Sequence, residues 1–244
     1  MQHRERGAVA PAEFVETAPG MRAYFAAPAG GGPWPGVLIF QEAFGLNDYM
    51  QSEVRRLAEH GYAAIAPDLF DGQTFSYEDR ESLAPRLQRL TDEGMMQHVR
   101  ASVAFLAAQP EVKRSGYGTV GFCMGGRLSV LTAIELGSQI AAASSFYGGG
   151  IAPEEVRFFT PLRDRLPGVS AELLLVYGAD DPSILPREHG TIVEALSAAK
   201  KTFALAVIAG AGHGFASTDR PSYNAAAAER GWADTLALFG RTLR

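Results

Sequence analysis

The chain has 244 residues, 47% of them hydrophobic, with a formal net charge of −5. That length suits one large domain with a well-buried core, and the acidic balance, with no Lys/Arg run, argues against a nucleic-acid surface. One cysteine excludes an internal disulfide, no apolar run approaches a membrane span, and the charged start Met1-Gln2-His3-Arg4-Glu5-Arg6 does not read as a signal peptide, so the expectation is a cytoplasmic protein, monomeric by default.

Residues 1–12 read as a flexible tail and residues 13–244 as a single domain. In chain order the pattern gives strands and helices in alternation. Strands are expected at Arg22–Ala26 and Gly36–Gln41, a helix at Tyr49–His60, and a strand at Ala63–Pro67. A helix at Glu93–Ala108, a strand at Thr119–Phe122 and a helix at Met124–Leu136 follow. Strands at Ala142–Tyr147 and Leu173–Tyr177 come next, then a helix at Glu188–Ala199, a strand at Phe203–Ile208 and a helix at Tyr223–Leu238. Runs such as Val37-Leu38-Ile39-Phe40 and Leu173-Leu174-Leu175-Val176 are apolar throughout, as parallel strands buried on both faces are. The alternation predicts an α/β class, a mostly parallel doubly wound sheet with helices on both faces. Two connections, Asp68 to about Thr91 and Gly148 to about Ser170, are long enough to cover a substrate pocket.

The segment Gly121-Phe122-Cys123-Met124-Gly125-Gly126 lies between a predicted strand and a predicted helix. It has the form of a nucleophile elbow, a sharp strand-to-helix turn, with Cys123 at the nucleophile position. A thiol needs a base to take its proton. His213, in Gly212-His213-Gly214 after the last strand, stands at the sheet edge where α/β sites form. His3, His60, His98 and His189 sit in the tail or on helices and are weaker candidates. The group orienting the imidazole is expected from Tyr177-Gly178-Ala179-Asp180-Asp181-Pro182, with Asp181 favoured over Asp180; Asp68 is read as structural. The order nucleophile, acid, histidine is that of the α/β-hydrolase fold. Backbone N–H groups of Met124 and Ala43 are the expected oxyanion donors.

Four segments together resemble the dienelactone hydrolases over nearly the whole chain: Gln41-Glu42-Ala43-Phe44-Gly45-Leu46-Asn47, Gly61-Tyr62-Ala63-Ala64-Ile65-Ala66-Pro67-Asp68-Leu69, the Cys123 elbow, and Ala211-Gly212-His213-Gly214-Phe215. The resemblance implies hydrolysis of a lactone or enol ester through an acyl-thioester, with Glu42 interacting with the resting cysteine. A carboxylate beside a thiol disfavours the thiolate until it moves. Phe44, Tyr147 and Phe215 are candidate substrate contacts.

The chain departs from the family where pathway members carry an arginine four residues after the catalytic histidine and use an arginine and a tryptophan after the P-D-L strand. Ser217 stands at the first position, and Trp34 and Trp232 lie elsewhere. A neutral serine does not replace a bidentate guanidinium. Arg80, Arg86, Arg89 or Arg220 is the available substitute, each expected on the surface. Three readings follow: a dienelactone-type hydrolase, a general or promiscuous carboxylesterase also open to activated phosphoryl esters, and a non-catalytic binding protein on the same scaffold. No cofactor fingerprint and no metal-ligand spacing is present.

Overall fold

The computed structural model describes residues 7–114, 116–156 and 158–243, apart from the side chain of Arg80. In chain order the elements are β1 (Glu13–Ala18), β2 (Met21–Ala26), β3 (Gly36–Phe40), α1 (Asp48–Glu59), β4 (Ala63–Pro67), α2 (Arg80–Leu87), α3 (Asp92–Ala108), β5 (Tyr117–Phe122), α4 (Met124–Leu136), β6 (Ile140–Phe146), β7 (Glu172–Gly178), α5 (Pro186–Ala198), β8 (Phe203–Ile208) and α6 (Ala225–Thr242). The uninterrupted apolar runs form the centre of one sheet. Every residue of β3, β4 and β5 is buried, because helices cover both faces of parallel strands.

The sheet has eight strands in the order β1-β2-β4-β3-β5-β6-β7-β8. β1 pairs with β2, and β2 with β4, antiparallel; the remaining pairs are parallel. Strand order reverses between β3 and β5, which lie side by side with Phe40 opposite Gly121. Such a reversal opens a crevice beyond the carboxyl ends of the strands. Here it sets the loop after β3 against the loop after β5.

Side-chain caps start most helices. Asn47, Asp79, Thr91 and Asn224 accept from the backbone N–H three residues on, satisfying groups that helix starts leave open. α4 has no side-chain cap at Cys123. α4 packs on β5 and β6, and α6 covers β6 and β7. Arg127, 1% exposed in the first turn of α4, ties the helix to its surroundings. Its guanidinium bonds both oxygens of Asp92 at 2.6 and 2.9 Å, and the carbonyls of Gly150 and Thr160 at 3.3 and 2.5 Å. This ion pair, buried on its arginine side, joins α3, α4 and the long segment after β6.

The sequence reading missed two elements. β1 is an edge strand with no fully buried residue, so its alternation carries little apolar signal. α2 contains Pro85 and no apolar stripe. The segment read as a tail is docked from Gly7 onward: Gly7 N–H donates to Glu59 O, and Val9 bridges Pro28. Residues 1–6 lie outside the described residues. α6 begins at Ala225 and runs on to Thr242, two residues later and four residues further than Tyr223–Leu238. No helix among the described residues is long and apolar enough to cross a membrane.

Candidate active site

The elbow forms where β5 turns into α4. Cys123 has φ 54° and ψ −117°, a conformation disfavoured for any residue with a Cβ. The turn is possible because glycines flank it. A Cβ on Gly121 would lie 1.9 Å from the Gly125 carbonyl oxygen, and one on Gly125 would lie 2.3 Å from that of Phe40. Cys123 remains partly exposed at the uncapped helix start. The N–H groups of Ala43 and Met124 make no hydrogen bond to another described residue.

Three strand ends bring the remaining groups together. β7 leads to Asp181, which is buried, whereas Asp180 is exposed. β8 leads to the loop carrying His213. The loops interlock where Asp180 N–H donates to Ala211 O at 2.9 Å. His213 Nδ1 lies 2.7 Å from Asp181 Oδ2, and Nε2 lies 3.1 Å from Cys123 Sγ. Asp181 Oδ1 accepts from Ser183 N–H at 2.8 Å, fixing the carboxylate. Burial works against a charged imidazole. The Cys123 charge and the Asp181 hydrogen bond outweigh it and carry the His213 pKa up to about 10. The arrangement favours an imidazolium facing sulfur.

Glu42 is 1% exposed. Burial pushes its pKa up, opposed by Arg220, Tyr77, His213 and Tyr147. Arg220 Nη1 donates to Glu42 Oε1 at 3.2 Å. The guanidinium stacks over the rings of Phe44 and Tyr77 at 5.6 and 5.4 Å. Tyr77 Oη lies 3.1 Å from Ser217 Oγ and accepts from Asn47 Nδ2 at 3.3 Å.

The structure thus gathers Cys123, Asp181, His213, Glu42, Ala43, Met124 and Phe44 at one edge. Tyr147 and Phe215 are fully buried, with rings 5.1 Å apart. They form the floor beneath His213 and offer no surface to a substrate, a correction to their reading as contacts. Of the other histidines, His189 stacks on Tyr177 at 4.3 Å, His98 is half-buried on α3, and His60 ends α1. His3 lies outside the described residues. Asp68 accepts from Phe70 and Gly72 N–H and pairs with Arg22, a structural role. No group of three or more His, Cys, Asp or Glu among the described residues could hold a metal ion.

The dienelactone hydrolase family model matches residues 21–243. The chain belongs to the dienelactone hydrolase family. A relative from Escherichia coli K12 named "Putative carboxymethylenebutenolidase" is 33% identical over 222 residues, covering 90% of this chain and 82% of that protein. A crystal structure described as a "Putative Dienelactone Hydrolase" from Klebsiella pneumoniae superposes with TM-score 0.87 at 31% identity, covering 96% of this chain and 100% of that one. A dienelactone hydrolase-like promiscuous phosphotriesterase from metagenomic libraries gives TM-score 0.82 at 28% identity, covering 98% and 100%. The dienelactone hydrolases are lactone and ester hydrolases on an α/β-hydrolase fold, and this chain is one of them.

Against the dienelactone hydrolase pattern, one surface expectation is corrected. Arg220 is not a surface residue: its side chain is 11% exposed and pairs with Glu42. Arg86 is occupied by Asp71 and Leu69 O, Arg89 is exposed, and the side chain of Arg80 lies outside the described residues. Trp232 packs against Phe122 and Phe146 in the core. Tyr77 is the residue that sequence reasoning missed. It arrives from the connection after β4, where Phe75 N–H bonds Phe44 O at 3.0 Å. An aromatic pair in a long polar connection, Phe75 and Tyr77, was the available signal.

Proposed function

We propose that the chain hydrolyses small lactones and enol or otherwise activated esters, with Cys123 as nucleophile, His213 as base and Asp181 as its orienting group. The supporting observation is the pair of contacts at the start of α4, 3.1 Å from sulfur to Nε2 and 2.7 Å from Nδ1 to the carboxylate. In this reading His213 holds the thiol proton and the thiolate attacks the carbonyl carbon. The tetrahedral intermediate collapses, the C–O bond to the leaving oxygen breaks, and the imidazolium returns its proton to that oxygen. Water, deprotonated by His213, then cleaves the acyl-thioester. The free N–H groups of Ala43 and Met124 receive the oxyanion, each donor worth about 3–4 kcal/mol in the transition state. Glu42 bears on the charge of the thiol, and Arg220 restrains it. A free thiol at the centre suits the reducing cytoplasm.

Arg220 supports a substrate with a carboxylate despite the serine at 217, because it holds a guanidinium beside Glu42 and over two aromatic rings. The test compares kcat/KM for a carboxylated dienelactone and a neutral aryl acetate in wild type, Cys123→Ala and Arg220→Met. Expected are an inactive Cys123→Ala, and a loss in Arg220→Met of at least about tenfold on the lactone and much less on the acetate. An active Cys123→Ala overturns the nucleophile. Equal losses on both substrates overturn the carboxylate reading.

A second reading rests on the promiscuous phosphotriesterase among the similar structures. The same thiolate would attack phosphorus and expel an aryloxide. Turnover of an aryl dialkyl phosphate that vanishes in Cys123→Ala supports it; no turnover removes it.

A further inference from the structure

The sheet register sets a second unusual residue beside the elbow. Phe122 lies opposite Phe146, and Cys123 N–H donates to Phe146 O at 3.0 Å. Cys123 and Tyr147 are therefore equivalent positions on neighbouring strands, and both have positive φ, 54° and 38°. For a bulky aromatic residue that conformation is strained. It sends the phenol inward, where the ring meets His213 edge-on at 5.3 Å and no surface is exposed.

The hydroxyl gains nothing visible from this burial. Tyr147 Oη has no hydrogen-bond partner among the described residues, and neither has Glu42 Oε2. Neither Tyr147 nor Tyr77 completes a hydrogen bond to Glu42 Oε2, although both phenols favour the charged carboxylate; the Tyr77 hydroxyl has Ser217 and Asn47, whereas that of Tyr147 is left open. A buried donor and a buried acceptor left open are each costly, and a bond between them satisfies both. The other titratable or charged groups around Glu42 are Arg220 and His213 from the loop after β8, Tyr77 from the connection after β4, and Tyr49 from α1. Arg220 engages only Oε1.

We infer that Tyr147 is a positioning residue whose O–H takes the second oxygen of Glu42, so that Arg220 and Tyr147 together hold the carboxylate ionised and in place beside Cys123. This deepens the proposed role of Cys123 and rests on it. The strain at Tyr147 is then the means by which the fold delivers a donor to a spot no surface side chain reaches.

The experiment follows the pH at which thiolate ultraviolet absorbance appears, in wild type, Tyr147→Phe, Glu42→Gln and the double variant, with ester kcat/KM beside it. Losing the phenol donor lets Glu42 stay protonated to higher pH, which relieves the like charge beside sulfur. Tyr147→Phe is expected to move the thiolate transition to lower pH, raising the thiolate fraction below it by up to about tenfold. Glu42→Gln moves it the same way, and Tyr147→Phe adds nothing in the Glu42→Gln background. No shift in Tyr147→Phe, or the same shift persisting in the Glu42→Gln background, overturns the inference. Should Tyr147→Phe fail to fold, a fluorotyrosine placed at 147 keeps the shape and strengthens the donor. The transition then moves to higher pH, and no movement overturns the inference. Failure of the underlying reading looks different, because wild type itself would show no thiol-dependent turnover.

Discussion

Two buried glutamates border the segment 213–220, and they are physically alike. Glu42 is 1% exposed with Arg220 at 3.2 Å; Glu53 is 6% exposed with Arg56 at 3.6 Å. Burial raises the pKa of both, that of Glu53 to about 7. Both have tyrosine neighbours, Tyr147 and Tyr77 for one and Tyr49 for the other. Tyr49 O–H in turn donates to Ala216 O at 3.0 Å. Glu53 even lines an open cavity of about 390 Å³ between α1 and α6. What differs is company. Around Glu42 the strand ends assemble a thiol, an imidazole and an uncapped helix start; around Glu53 there is none of these. A desolvated carboxylate with an arginine is thus a weak mark of a site by itself.

Removing the thiol breaks this contrast most severely. Cys123→Ala is expected to lower ester kcat/KM by about 10⁴-fold or more, with His213→Ala similar and the double variant no worse. Steady-state assays at high enzyme concentration check this, and additive losses would show that the two do not act as one unit.

Glu53→Gln tests the other side of the contrast through stability. The folded pKa of about 7 exceeds the ordinary 4.5, so the folded chain keeps a proton that the unfolded chain releases. Stability from this group is therefore full below the ordinary carboxylate range and falls as pH rises toward 7. The penalty above that window is up to ~3 kcal/mol. Glu53→Gln should gain on wild type in urea midpoint at about pH 8 and not at about pH 5. A pH-independent gap would contradict a titrating Glu53.

Activity separates the two carboxylates next. Glu42→Gln should reduce kcat/KM by about tenfold or more even as the thiolate fraction rises, because it takes the charged anchor from Arg220 beside the Ala43 donor. Glu53→Gln should stay within about twofold. Equal effects would erase the distinction. Tyr77→Phe is the mildest change: it loses the hydroxyl contacts to Ser217 and Asn47, an effect of about 1 kcal/mol, read as a small rise in KM.

The sequence declared the turns of the candidate site more clearly than the walls around them. Gly121, Cys123 and Gly125 announce an elbow because backbone collisions leave glycine no alternative. Asp181 and His213 follow from lying just past strands whose apolar runs are plain. The central strands were legible for the same reason, being buried on both faces. β1 and α2 were not, since a half-exposed edge strand and a proline-bearing helix owe their form to neighbours. Arg220 and Tyr77 were obscure because their places depend on how loops stack. Arg220 looked like a surface cation until Glu42, Phe44 and Tyr77 closed around it. The burial of Tyr147 and Phe215 was equally out of reach, because a residue past a strand end can point outward or in.

The contact between the elbow and its own helix also limits how this gene can drift. Every missense change in the codon for Gly121 or Gly125 adds a Cβ, and each would drive it into a backbone carbonyl 1.9 or 2.3 Å away. Neither position can be traded for a near neighbour and repaired later by a flexible side chain, because the obstacle is main chain. Position 123 is under no such restriction, since its φ and ψ are already borne by a residue with a Cβ. A single-base change from cysteine to serine there leaves the packing as it is. In a saturation library the columns for Gly121 and Gly125 should be empty while the column for position 123 keeps folded survivors.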